Sequence, residues 1–417
     1  MAKDENARFE EPERDGARLV RRRRVIYAHG FDPAKSDRYR RLIQRAGEEH
    51  ADVKALTGAV GPITEHSEGW RIDARRGDEK VETVFEILRY EDVVKHWRGR
   101  NVFARLITGV PSWCRFAFLG GLRRTFQLAK GPAALLFYPM SMLTIFVVTF
   151  MIFGGLAGRA LEEWLGAPEW ASQAGRVFGA ALGLFLSLRA ERALFVHLML
   201  ALFDFLIRVA EDKTPAGRLD ARIDAFAERI LDSVADAERA KVDEILIVGH
   251  SLGGLVAVRA LAAALERDVD LTGGRASVSL LTLGSVAGFV ACRGGPGAEA
   301  YGDDVKRIAT TDDIAWVDVS APRDWFSFGL VDPLLMVNDP PREARSPLVI
   351  SAKFGKFKPD PDDKRTKFRA MGLHMRYLGA PDKPGGFDFF DCVTGPATLA
   401  DRFAERRDSP RAKMLSR

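Results

Sequence analysis

LIVGHSLGGLVAV, residues 246–258, holds an apolar run, a serine between two glycines and a second apolar run in thirteen positions. Together with the preceding DEI, the first run reads as a short strand buried on both faces, as in a parallel sheet. The continuation GGLVAVRALAAALE reads as a helix. Strand, tight turn and helix in that order, with Gly249 and Gly253 where a side chain would obstruct the bend, make a GxSxG elbow that exposes Ser251. The bare pattern is a weak signal; its place between a strand and a helix gives it weight.

A nucleophilic serine needs oxyanion donors, a base and an orienting acid. RVIYAHGFDP near the N-terminus is a second apolar strand, ending in His29 and Gly30, before a helix SDRYRRLIQRAGEEH capped by Ser36. Such a turn offers backbone N–H groups at the carboxyl end of a strand, where open α/β sheets place their chemistry. The amides of Phe31 and Leu252 are therefore the expected oxyanion hole. SVSLLTLGS (277–285), IAWVDVSA (314–321) and SPLVIS read as further strands. Beyond the second of them, PRDWFSFGLVDPLL supplies two carboxylates, Asp324 and Asp332. Asp324 is the expected acid and Asp332 the alternative, since an Asp before a proline suits a plain turn. Of the seven histidines, only His374, in MGLHMRYLG, follows both carboxylates and is the expected base.

These features, HG after the first strand, GHSLGG at the elbow and the late Asp with HMRY, resemble the α/β-hydrolase superfamily, most closely its lipases and esterases. The resemblance covers roughly Arg24 to Tyr90 and Lys213 to Leu378. It implies a mostly parallel α/β sheet and a Ser251, Asp324, His374 triad that transfers an acyl group to water through an acyl-enzyme. It implies no metal or other cofactor.

The stretch between the two parts departs from that pattern. From Gly131 to Gly158 twenty-eight residues carry no charge, more than the roughly 20 that cross a bilayer core. One span is expected at about 132–158 and a second at about 170–189, with Arg176 snorkelling toward the interface. The apolar stretch at about 193–209 carries His197, Asp204 and Arg208, which with Glu211 fall within roughly 60° of one another on a helix. It is expected to lie in the interface. The result is a transmembrane helical hairpin inserted between the oxyanion strand and the elbow. Because His29 precedes the insert and Ser251 follows it, an even number of crossings is required.

The domain expectation is a charged leader at 1–23, a first part of the catalytic domain at 24–110, the membrane insert at 111–210, the rest of the domain at 211–404 and a basic tail at 405–417. RRRR (21–24) and the tail could attract anionic lipid or simply be solvated. Arginines flanking the spans orient the catalytic domain to the cytoplasm by the positive-inside rule. With 62 basic against 57 acidic residues, nucleic acid is a poor partner. Cys114, Cys292 and Cys392 form no CxxC pair, so neither a disulfide framework nor a cysteine zinc site is indicated. The expectation is an integral membrane serine hydrolase acting on an acyl or lipid ester at the bilayer. A catalytically silent scaffold of the same shape is the alternative.

Overall fold

The structure is a computed structural model that describes residues 19–32, 36–48, 53–76, 78–190, 195–211, 216–268, 270–341, 343–344, 346–354, 369–379 and 386–404. The expected tail and most of the expected leader lie outside the described residues.

The chain opens with β1 (Arg22–Ala28) and α1 (Ser36–Glu48), followed by a meander of β2 (Val53–Thr64), β3 (Ser67–Arg76) and β4 (Glu79–Leu88). Six helices succeed it: α2 (Glu91–Arg98), α3 (Val102–Phe118), α4 (Gly121–Leu128), α5 (Lys130–Leu165), α6 (Ala171–Ala190) and α7 (Val196–Ala210). After α8 (Ala216–Ala235) and α9 (Ala237–Ala240) come β5 (Glu244–His250), α10 (Leu252–Arg267), β6 (Ser277–Leu283), α11 (Gly288–Arg293), α12 (Pro296–Thr310), β7 (Ala315–Ser320) and β8 (Leu348–Ser351). Three short helices close the fold, α13 (Arg369–Met375), α14 (Phe389–Thr394) and α15 (Leu399–Phe403).

The strands form one eight-stranded sheet in the order β2-β3-β4-β1-β5-β6-β7-β8. Only the β2–β3 and β3–β4 pairings are antiparallel; every other neighbour is parallel. All seven residues of β5 are buried, because helices cover both faces of a parallel sheet. The period of two divides β1 accordingly: Ile26 and Ala28 join the core under α7, α8 and α10, while Val25 and Tyr27 join the core under α1 and α14. Ala28 pairs with Gly249, so the chain leaves β1 and β5 side by side, which brings Gly30 next to Ser251.

Three expectations change. First, the leader ends earlier, because Arg22 and Arg23 belong to β1. Arg23 is fully buried: its Nε donates to Glu244 Oε2 at 2.6 Å, and its Nη atoms donate to the carbonyls of Gly395 and Ala397. Arg24 pairs with Asp236, so Arg23 and Arg24 are taken up by the fold, while Arg21 and Arg22 stay exposed.

Second, the helix expected in the membrane interface is a core helix. α7 buries thirteen of its fifteen residues. Its polar stripe exists but meets protein: Asp204 accepts from Arg100, Thr108, Ser112 and Arg208 at 2.9–3.1 Å, and Glu211 pairs with Arg293. The insert therefore narrows from 111–210 to α5 and α6.

Third, the expectation of two spans is met by one helix of spanning character. Among the described residues one helix, α5, is long and apolar enough to cross a membrane. It has 36 residues and is roughly 54 Å long. α6 carries Gln173 and Arg176 in its first turns and does not meet that standard. It runs back along α5, because β1 and β5 are neighbours and the chain must return to the sheet. Gly154 and Gly158 of α5 face Gly175 and Ala171 of α6, and Gly179 and Gly183 face the backbone of Phe150 and Phe146. A Cβ at any of these four glycines would overlap a backbone oxygen of the opposite helix. Small residues four apart permit this close approach.

Candidate active site

Ser251 caps α10 with φ 60° and ψ −118°, a conformation that costs about 1–3 kcal/mol in a non-glycine residue and holds only where its surroundings enforce it. Those surroundings are tight. A Cβ on Gly249 would overlap Gly253 O, and one on Gly253 would overlap Ala28 O. The Ser251 N–H donates to Leu283 O at 2.9 Å, and its carbonyl accepts from Gly254. The elbow is thus wedged between the ends of β1 and β6.

The turn after β1 lies over the serine. A Cβ on Gly30 would stand 3.1 Å from Ser251 Cβ and 3.5 Å from its Oγ. Gly30 O accepts from Asp32 N–H at 2.7 Å and from His29 Nδ1 at 2.8 Å. Tyr90 donates to His29 O and its ring stacks on the imidazole at 4.2 Å. Burial lowers the His29 pKa, so the ring is neutral and its Nδ1–H can donate. Among the described residues the amides of Phe31 and Leu252 make no hydrogen bond. Leu252 opens α10, where the first N–H groups have no helical acceptor.

On the opposite side, His374 Nδ1 donates to Asp324 Oδ2 at 2.8 Å. A carboxylate acceptor fixes the proton on Nδ1, so Nε2 carries the lone pair. Nε2 is buried and has no hydrogen-bond partner among the described residues. Asp324 Oδ1 accepts from Phe326 N–H at 3.0 Å, and Oδ2 accepts a second bond from Tyr377 at 3.0 Å. Burial alone would raise the Asp324 pKa, but His374 and these donors outweigh it and hold the carboxyl below its ordinary value. A cavity of about 90 Å³ joins the groups, lined by Ser251, His374, Phe31, Leu198, Leu202 and Met371 among others. Phe31, Leu198, Leu202 and Met371 form an apolar part of the wall, and Asp32, Arg98, His197 and His250 add polar groups to it.

Sequence reasoning brought Ser251, His374, Asp324, Gly30 and Phe31 to one place, and the structure puts them around one cavity or in contact with its lining. Asp332 lies elsewhere: its Oδ1 accepts from Leu334 N–H at 2.9 Å and starts a 3-10 turn at Pro333–Met336. Three residues were missed. Tyr90 orients the His29 turn. His250 donates from Nε2 to His374 O at 2.9 Å, and burial together with His374 depresses its pKa to about 3, so it steadies the backbone of the histidine without competing for protons. Tyr377 is the third, and its signal lay in HMRY, since positions three apart share a helical face. Replacing Tyr377 by Phe removes one donor to a charged carboxylate, worth about 1.5 kcal/mol. In an ester-hydrolysis assay the expected result is kcat lower by about tenfold with KM unchanged; an unaltered kcat would remove Tyr377 from the site.

A second carboxylate titrates near neutrality behind the site. Asp318 on β7 accepts from Thr282 at 2.5 Å, and its pKa is raised to about 7 by burial, with a further push from Asp332. The folded chain therefore keeps a proton that the unfolded chain releases near pH 4. Stability from this group is complete below pH 4 and is lost as pH rises through 7. Asp318→Asn is expected to stabilise the protein by about 2–4 kcal/mol at pH 8 and much less at pH 5, measured as thermal midpoints in detergent. A slope from Asp304, also raised to about 7 by burial, remains. Equal gains at both pH values would show that Asp318 is ionised in the fold.

No family model matches this chain, and no curated protein or solved structure matches it either.

Proposed function

We propose that the chain is a membrane-anchored serine hydrolase of the α/β-hydrolase type that cleaves carboxylic esters. One observation carries the reading: a strained serine at the end of a central parallel strand shares a cavity with a histidine whose other nitrogen is bonded to a buried carboxylate. In this reading His374 Nε2 takes the Ser251 proton as Oγ attacks the acyl carbon. The oxyanion is received by the Phe31 and Leu252 amides, each worth roughly 3 kcal/mol. His374 returns the proton to the departing alkoxide, and water then repeats the sequence to release the acid. The part of the wall formed by Leu198, Leu202 and Met371 suits an apolar acyl group, and Asp32, Arg98 and His197 leave room for a polar alcohol part. α5 supplies the anchor, with α6 held beside it. Arg123 and Lys130 at its near end favour a cytoplasmic body, where esters of membrane lipids are close at hand.

The test is labelling of the detergent-solubilised chain with a fluorophosphonate probe, compared with Ser251→Ala and His374→Ala. Labelling of wild type alone supports an activated serine. One observation favours a silent scaffold instead: Ser251 Oγ and His374 Nε2 are not hydrogen-bonded to each other. Such bonds are often long before substrate arrives, and folded wild-type protein that stays unlabelled would decide for the scaffold.

A further inference from the structure

We propose that the α3–α4 corner is a second membrane contact, a seat for the headgroup layer of an anionic bilayer. It rests on α5 lying in that bilayer and is independent of the hydrolase chemistry.

The exposed apolar residues of the body gather here. Phe118 is 88% exposed, Leu119 60% and Phe126 57%. Ile107, Pro111, Arg115 and Phe118 are all exposed and fall within roughly 80° on α3. The other side of α3 buries Ser112 and Phe116. On α4, Arg123, Phe126 and Gln127 face outward, while Arg124 turns inward to the carbonyls of Ala291 and Met336. The corner is therefore an apolar face with cations on it, unpartnered by the rest of the fold.

Its level along α5 identifies what covers it. The charge-free stretch from Gly131 to Gly158 rises about 42 Å, close to the 40–45 Å of a bilayer with its headgroups. Lys130 then marks the near edge of the headgroup layer. Trp113 of α3 donates from Nε1 to Leu136 O at 3.0 Å and meets the Phe137 ring edge-on at 5.9 Å. That contact lies about 9 Å further along α5 than Lys130; there Leu135 and Leu136 are buried against the body while Phe137 is 41% exposed, so the end of α3 stands where α5 leaves the body and its outer face begins to meet lipid. A Trp at that depth suits an interface.

Charge agrees. Between Asp92 and Glu162 the chain has no acidic residue. Arg115, half exposed, lies 3.6 Å from Glu211, and among the described residues of the corner Arg123 and Lys130 are the other exposed cations that face phosphates. The seat also sets the catalytic face against lipid, because Gly131 at the foot of α5 touches Trp325, the neighbour of Asp324: a Cβ there would stand 2.9 Å from the indole.

The test uses the full chain with Cys114, Cys292 and Cys392 replaced by Ala and a nitroxide attached at Phe118→Cys, Ile152→Cys on α5 or Glu266→Cys on the far side of the body. Each protein is reconstituted into phosphatidylcholine vesicles with or without phosphatidylglycerol. Accessibility to oxygen and to a water-soluble nickel complex is then measured. The expected result is shielding from nickel at 152 and 118 but not at 266. Arg123→Gln and Lys130→Gln should each weaken the shielding at 118 by about fivefold on anionic vesicles. A label at 118 as accessible to nickel as that at 266, with 152 still shielded, overturns the seat and leaves the anchor standing. Exposure at both 118 and 152 removes the anchor and the seat together. Shielding at 118 accompanied by dipolar broadening that grows with protein density assigns the face to a second copy and also overturns the proposal.

Discussion

Asp324→Asn is expected to lower ester turnover by about four orders of magnitude, while Asp332→Asn leaves it within a few fold of wild type. The difference follows from what each carboxylate holds. Asp324 Oδ2 accepts from His374 Nδ1 at 2.8 Å, which keeps the Nε2 lone pair free for the serine proton. An Asn amide placed there presents an N–H to Nδ1, so the imidazole adopts the other tautomer and its proton blocks Nε2. Asp332 Oδ1 accepts from Leu334 N–H in the 3-10 turn, and an Asn oxygen can do the same. Steady-state hydrolysis of a nitrophenyl ester, with circular dichroism to establish that both variants fold, measures the ratio. Comparable losses in the two variants would exclude Asp324 as the orienting acid.

The largest effect on stability is expected from Arg23→Ala, a loss of about 3–5 kcal/mol. Typical domains hold only 5–15 kcal/mol in total. The guanidinium makes three hydrogen bonds to two segments: Glu244 on β5 and the carbonyls of Gly395 and Ala397 before α15. Its removal strands Glu244, whose side chain is fully buried and whose other oxygen accepts from Ser279 and from Leu399 N–H. Arg23→Met combined with Glu244→Met should recover part of the loss, because an apolar pair leaves no unpaired charge. Thermal midpoints and resistance to trypsin in detergent give the comparison. A single variant as stable as wild type would mean that Glu244 takes up a proton at little cost, and the pair would not be a structural anchor.

Local signals were legible where the contacts they imply are local. The β5 run and its two glycines specify strand, bend and helix within one short stretch, and the structure builds them so. The choice between Asp324 and Asp332 was not legible in that way, since both follow β7 and only contact with a histidine 50 residues later separates them. Arg23 was misread for the same reason: its partner Glu244 lies 221 residues away, and nothing near RRRR announces a buried cation. On α7 the polar stripe was read correctly as a stripe, but periodicity does not reveal whether its partner is water, lipid or protein. Thr108 and Ser112 of α3 supply the answer. The four-residue spacing of Gly154 and Gly158, and of Gly175, Gly179 and Gly183, stood in plain view. It says that α6 is shaped to lie against another helix, which a count of apolar residues misses.

The strand order carries a consequence for biogenesis. β1 lies between β4 and β5, yet β5 is synthesised only after α5 and α6 have emerged. A ribosome still translating α6 has released the meander and β1 with one edge unpaired, and Ser251 does not yet exist. The central strand that joins the two halves of the sheet is thus delivered only after the long apolar helix α5 has been made. Nascent chains that fail to place α5 reach β5 with their anchor exposed to water, where aggregation of an unpaired sheet edge competes with its completion. On the proposed reading, α5 would be placed before the serine elbow is made, an order written into the topology.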